Sequence, residues 1–229
     1  GLRAALTGRR VALASRAMPP AGPSFDALVA RARRLARAGD RSILGITGPP
    51  GAGKSTLADR LAAALGPEAV TVPMDGYHLA QQELERLGLA DRKGAPETFD
   101  GAGFVALLRR LREDRGEVVY APQFRRELED PIAGAIPVPD GVPLVITEGN
   151  YLLVDRGPWA AIRPLLDEVW FVAPAEEDRL AWLTARHVVH GKDPGAAFRW
   201  ARGPDQANAE LVAATRERAD LVLGPSVVG

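Results

Sequence analysis

The chain has 229 residues, enough for one large domain with a substantial buried core. It contains no cysteine, which excludes disulfides, thiolate metal sites and a cysteine nucleophile. Its formal net charge is zero, and no apolar run approaches the roughly 18 residues that cross a bilayer. We therefore expect a cytoplasmic protein without a membrane partner.

The N-terminal region is basic, with nine arginines against two aspartates in residues 1–41. Such a region could bind nucleic acid, but no aromatic residues alternate with the arginines, so a solvated basic face is the preferred interpretation and no nucleic-acid partner is expected. Residues 1–18 resemble a transit peptide in being rich in arginine and poor in acids. We instead interpret residues 1–23 as a flexible or extended arm, with Met18 as a candidate natural start.

Beyond the arm, hydrophobic periodicity and turn residues predict alternating helices and strands. Helices are predicted over 24–38, 55–66, 99–114, 159–167 (with a kink or boundary at Pro164), 175–191, about 195–202 and 205–218. Strands are predicted over 42–47, 69–74, 117–122, 142–149, 168–173 and 220–224. The Pro- and Gly-rich segment 127–142 is predicted to be a loop. This alternation indicates one α/β domain over 24–229, a doubly wound parallel sheet flanked by helices.

The segment ITGPPGAGKST, residues 46–56, matches the P-loop pattern and lies between a predicted strand and a predicted helix. Without Cβ atoms its glycines let backbone N–H groups approach phosphate oxygens. Lys54 is expected to contact the β- and γ-phosphates of ATP, Ser55 to bind Mg²⁺ and Thr56 to contact the α-phosphate. The predicted nucleotide-binding residues are Gly48, Pro49, Pro50, Gly51, Ala52, Gly53, Lys54, Ser55 and Thr56.

Two carboxylates follow predicted strands, Asp75 after TVPM and Glu148 after LVIT. Ligands of open parallel sheets gather at the carboxyl ends of the strands, so both side chains are expected near the P-loop. Glu148 is the candidate for holding Mg²⁺, directly or through water, and Asp75 for accepting a proton from an attacking hydroxyl. The alternative is that each carboxylate only caps the loop after its strand.

Further segments add a family resemblance. They read PMDGYHL (73–79), RKGAPETFD (92–100), YAPQFRRELEDP (120–131), ITEGNYLL (146–153) and TRERADLVL (215–223). In this order, and with the P-loop, they resemble the small-molecule kinases related to uridine kinase, bacterial pantothenate kinase and phosphoribulokinase, over about 42–223. The resemblance implies a P-loop NTPase core with a mobile helical lid at about 186–203. It also implies transfer of the ATP γ-phosphate to a hydroxyl of a small molecule.

The same resemblance implies roles for particular residues. Asp75 would be the base and Glu148 the magnesium-associated acid, while Lys54, Arg186 and Lys192 would offset charge on the transferring phosphate. His78 could equally be a packed, hydrogen-bonded histidine, and the two lid cations a solvated helix end. Phe124 could be plain core. The implied acceptor-pocket residues are Tyr77, His78, Tyr120, Phe124 and Arg126, together with Asp75.

The acceptor stays open because the sequence departs from each relative. The segment near the uridine pocket reads YAPQFRR instead of a PxYD type, and the lid lacks the arginine triplet of uridine kinases. KGAPETFD resembles pantothenate kinase, but the chain is short for that enzyme, and FRRELEDPIAGAI resembles a nucleoside- and sugar-kinase-like branch. The alternative function is a nucleotide-dependent switch or regulatory ATPase, although NKxD-type and LSGGQ motifs are missing. A homodimer is compatible with the sequence.

Overall fold

The structure, a computed structural model, describes residues 22–113 and 116–225, so the arm predicted over 1–23 lies almost entirely outside the described residues. The strands are β1 (Ser42–Thr47), β2 (Ala69–Pro73), β3 (Val119–Arg125), β4 (Asp130–Val138), β5 (Leu144–Glu148), β6 (Glu168–Val172) and β7 (Leu221–Leu223). The α-helices are α1 (Phe25–Ala36), α2 (Lys54–Leu65), α3 (Gln81–Leu87), α4 (Gly101–Glu113), α5 (Glu176–Val189), α6 (Pro194–Arg202) and α7 (Pro204–Ala213). Helix α3 is one element that sequence periodicity missed.

Five strands form one parallel sheet in the order β2-β5-β1-β6-β7. Strand β1 is buried at every position, as expected for a strand covered on both faces. Its alternate residues face opposite layers: Ile43 packs with α4, while Leu44 and Ile46 pack with α1 and α2. The predicted parallel sheet with helices on both faces is confirmed.

The predicted loop over 127–142 is wrong. Residues Asp130–Val138 form β4, which pairs antiparallel with β3 in a separate two-stranded sheet, the β3–β4 ribbon. Each ribbon strand has one partner, and prolines are tolerated at such edges because a free edge needs no N–H donor. Composition alone therefore predicts a loop at Pro131 and Pro137, although both residues lie in a paired strand.

The segment predicted to be helical over 159–167, with a kink or boundary at Pro164, does not form an α-helix. Two 3₁₀ turns, Gly157–Ala161 and Arg163–Leu165, replace it. Pro164 lacks an N–H group and its ring obstructs the preceding turn, so an α-helix does not continue through it. In residues 22–113 and 116–225, no helix is long and apolar enough to cross a lipid bilayer.

Candidate active site

The P-loop connects the carboxyl end of β1 to the N-terminus of α2. Gly53 precedes the helix and makes no side-chain capping bond, so the first N–H groups of α2 are left for an anionic ligand. The Lys54 amine donates a 3.1 Å hydrogen bond to the Pro49 carbonyl oxygen and is buried. Burial lowers the pKa of Lys54, and the nearby Glu148 carboxylate opposes that shift. The loop therefore holds a buried cation beside a set of backbone donors.

Glu148 lies directly across from this loop. At the end of the central sheet it pairs in register with Ile46 of β1 and Pro73 of β2, which places its side chain at the edge where the P-loop begins. The Ser55 hydroxyl donates a 3.0 Å hydrogen bond to Glu148 Oε1. Burial raises the pKa of Glu148, and the negative charge of Asp75 adds to the rise.

The Ser55 and Glu148 oxygens are suited to a magnesium ion. Mg²⁺ takes oxygen ligands and is usually held by one or two carboxylates together with phosphates and water. A buried carboxylate with a raised pKa is also one that an added cation would stabilise in its charged form. The donor set at this edge of the sheet therefore fits the predicted metal.

Asp75 follows β2 in a short 3₁₀ turn, Met74–Tyr77, and its side chain faces the same edge. Its carboxylate lies 3.7 Å from the Arg126 guanidinium. His78 Nδ1 is 2.9 Å from the Asp75 carbonyl oxygen, which can only accept, so the Nδ1 proton is donated there. Burial lowers the pKa of His78, which favours the neutral ring with Nε2 as an acceptor.

The β3–β4 ribbon and the turn after β3 bring Phe124 to His78 and Arg126 to Asp75. A Cβ atom on Gly76 would lie 2.4 Å from the Pro122 carbonyl oxygen, so the absence of a side chain there lets β3 press against the Asp75 turn. Phe124 lies on β3, and Arg126 is the first residue after it. The centre of the His78 ring lies 4.8 Å from that of Phe124 and 4.0 Å from that of Phe99. His78 is thus packed between aromatic rings and also faces the cavity described next.

Two cavities meet at the P-loop. The first has a volume of about 420 Å³ and contains Asp75, His78, Phe124 and Lys192 in its lining. The second, of about 380 Å³, runs along residues 51–56 and includes Trp182. The residues that line both cavities are Lys54, Ser55, Arg126 and Arg186.

Arg186 and Lys192, the two cations of the predicted lid, both line the first cavity. The Lys192 amine sits 4.2 Å from the centre of the Trp200 ring, a cation–π contact that holds it over the cavity. Arg186 is accessible at the boundary of both cavities. Partial burial lowers the pKa of the Arg186 guanidinium, and the positive charge of Arg126 lowers it further. Arg186 therefore lies where the two cavities meet, whereas Lys192 lines the first cavity alone.

Two predicted acceptor-pocket residues are not part of the cavity lining. Tyr120 is 58% exposed on the outer side of the ribbon, because its strand neighbours Val119 and Ala121 take the buried positions. Tyr77 packs on Phe104 with ring centres 5.4 Å apart, and burial raises its pKa to about 12. Neither tyrosine therefore lines either of the two cavities, and their role in an acceptor pocket stays a prediction.

Sequence reasoning also missed several residues of the first cavity. The three histidines of the chain and its three lysines all line it, including His187, His190 and Lys93. The rarity of lysine beside 26 arginines was a usable signal for Lys93. No local pattern predicts that His187 Nε2 lies 2.7 Å from Asp205 Oδ2, since the two residues meet only when α5 packs on α7. The other missed lining residues include Gly94, Phe99, Glu129, Asn150, Trp200 and Asn208.

This fold and this edge of the sheet define a P-loop nucleotide-binding protein of the kinase type. The model for the phosphoribulokinase / uridine kinase family matches residues 43–223, and the chain belongs to that family. A second model, for the methylmalonyl Co-A mutase-associated GTPase MeaB, matches residues 9–74, the part that contains the P-loop.

Similar proteins span several named kinases. "Putative uridine kinase C227.14" of Schizosaccharomyces pombe is 35% identical over 73% of this chain and 75% of that protein. A Corynebacterium glutamicum pantothenate kinase is 28% identical over 81% of this chain but only 59% of that enzyme. The crystal structure of a "putative fructose transport system kinase" from Silicibacter sp. TM1040 has a TM-score of 0.79 and 40% identity, and covers 88% of this chain and 99% of that chain.

Proposed function

We propose that the protein is a Mg·ATP-dependent kinase that transfers the γ-phosphate to a hydroxyl of a small metabolite. The observation that carries the proposal is the junction of the two cavities. Lys54 and Ser55 line both, whereas Asp75 lines only the first. The γ-phosphate of a triphosphate bound to the P-loop would therefore lie next to a hydroxyl group held beside Asp75.

The proposed step is an in-line displacement. The acceptor hydroxyl oxygen forms a bond to the γ-phosphorus, the bond from that phosphorus to the β,γ-bridging oxygen breaks, and ADP leaves with the bond's electron pair. The hydroxyl proton passes to the Asp75 carboxylate, which lies 3.7 Å from the Arg126 guanidinium. The hydrogen bond from His78 to the Asp75 carbonyl fixes the backbone of the base.

Positive groups at the junction would offset the charge on the moving phosphoryl group. Lys54 is buried and fixed by its bond to Pro49, so little reorganisation is needed during reaction. Arg186 and Lys192 approach from the lid side. Ser55 and Glu148 would hold Mg²⁺, which when bound neutralises phosphate charge.

The acceptor is best sought among nucleosides, pantothenate and sugars, the classes suggested by the sequence resemblance and by the names of the relatives. A screen of uridine, cytidine, pantothenate, fructose and ribose with Mg·ATP would measure ADP formation. Stimulation by one acceptor class, lost in Asp75→Asn, is the expected result. ATP hydrolysis that no acceptor stimulates would instead favour the regulatory ATPase, an alternative that no observation in the structure favours.

A further inference from the structure

The second cavity contains one large apolar side chain, Trp182 of α5. The remainder of its lining comprises P-loop residues and two arginines. Trp182 precedes Arg186 by four residues, so the two side chains project from the same face of the helix. An aromatic ring therefore lies beside the loop that is expected to hold the phosphates.

Helix α5 is fixed against the P-loop, so the position of this ring relative to the phosphates is set. The buried Arg179 guanidinium donates a 2.9 Å hydrogen bond to the Pro50 carbonyl oxygen. Gly51 has a φ of 81°, and a Cβ atom there would lie 2.9 Å from Leu183 Cβ. Trp182 lies between these two contact residues of α5. It is thus mounted on a segment that touches the loop directly.

Trp182 differs from two neighbouring aromatic residues, Trp200 and Phe198, in its contacts with cations. Trp200 is covered by the Lys192 amine and Phe198 by the Arg202 guanidinium, at 4.2 Å and 3.7 Å from the ring centres. No aromatic ring or cation in the described ranges covers Trp182, which is 40% exposed. An exposed indole lining a nucleotide-sized cavity is suited to a planar ligand.

We infer that the base of the donor nucleotide stacks on the Trp182 indole. This stacking contributes more to nucleotide affinity than hydrogen bonds to the edge of the base. Among the described lining residues of the second cavity, no side chain carries an amide or a carboxylate that could read the edge of a base. Purines have the larger ring surface, so the site prefers purine over pyrimidine nucleotides and binds adenine and guanine alike. This inference rests on the proposed function only in requiring that the P-loop bind a nucleotide.

Calorimetric titrations with ADP, GDP, UDP and pyrophosphate test it in the presence of Mg²⁺. Pyrophosphate carries the phosphates without a base. Trp182→Ala should weaken ADP and GDP by about fivefold or more, the loss expected from one base–aromatic stack, and leave pyrophosphate unchanged. Trp182→Phe should restore most of the ADP affinity. Phe198→Ala removes another exposed lid aromatic outside both cavities and should bind all four ligands like the wild type.

Two results would overturn the inference without touching the proposed kinase function: an equal loss for ADP and pyrophosphate in Trp182→Ala, or wild-type ADP affinity in that variant. A strong preference of the wild type for ADP over GDP would overturn the claim that stacking dominates. Failure of the wild type to bind either ADP or pyrophosphate would overturn both proposals together. Melting temperatures of the variants show whether any loss of affinity reflects loss of the fold.

Discussion

Replacing Asp75 with Asn tests whether this residue acts as the general base. The amide keeps the size of the side chain and cannot take up the hydroxyl proton. A positioned general base contributes about 10²- to 10⁴-fold in rate, or about 3 to 5 kcal/mol in the activation barrier. Turnover with the identified acceptor should fall by that factor.

The structure predicts little cost elsewhere. The ion pair of Asp75 with Arg126 spans 3.7 Å between side chains that are 34% and 44% exposed, so its loss should cost less than about 1 kcal/mol of unfolding free energy. Asp75 does not line the second cavity, so ADP affinity should stay at the wild-type value.

A coupled ADP-release assay, calorimetry with ADP and urea unfolding measure the three quantities. Asp91→Asn, which alters an exposed aspartate outside both cavities, is the matched control and should behave as the wild type in all three. Unchanged turnover in Asp75→Asn would refute the base assignment. A large loss of ADP affinity or of stability would show that Asp75 acts through the fold of the site and not through proton transfer.

Three further changes test other parts of the site. Arg179→Ala removes a buried guanidinium that donates a hydrogen bond to the Pro50 carbonyl oxygen, and should lower the free energy of unfolding by at least about 2 kcal/mol in urea titrations. Arg199 is exposed, so Arg199→Ala is the control and should leave that free energy unchanged. Equal stabilities of the two variants would contradict a stabilising role for the bond between Arg179 and Pro50. Burial lowers the pKa of His78 in the folded protein below the value of about 6.5 for a histidine in the unfolded chain. As the pH falls below about 6.5, the unfolded state therefore binds a proton more readily than the folded state, and the free energy of unfolding decreases. The wild type should therefore lose more stability than His78→Gln between about pH 7.5 and about pH 5.5 in urea titrations, and equal losses in the two proteins would contradict the burial of His78. Gly76→Ala would place a Cβ atom 2.4 Å from a backbone oxygen of the ribbon, and should raise KM for the acceptor while ADP affinity stays unchanged; an unaltered KM would show that the ribbon does not position the acceptor.

The nucleotide half of the site is predicted from local patterns alone. A P-loop is a continuous segment whose function depends on its own backbone, so its residues could be assigned before any tertiary contact was known. Asp75 and Glu148 were assigned from their positions at strand ends, and parallel pairing of β2, β5 and β1 places both at one edge. Their catalytic and metal roles remain predictions that the proposed experiments test.

The acceptor half was less predictable because distant segments build it. Phe124 and Arg126 reach the cavity only because β3 and β4 pair as a separate ribbon, which Pro- and Gly-rich composition had suggested to be partly loop. Tyr120 belongs to the same predicted motif, yet strand alternation turns it outward to 58% exposure. Motif membership did not indicate which face of the strand each side chain takes.

The sequence by itself determined the alternating α/β plan, the phosphate loop and the two strand-end carboxylates, because each depends on local periodicity or on short-range backbone geometry. Tertiary structure decided the second cavity with Trp182, the His187–Asp205 contact and the gathering of all three lysines around one space. These features join residues of the P-loop, the ribbon and the C-terminal helices, which are far apart in the chain and become neighbours only in the folded protein.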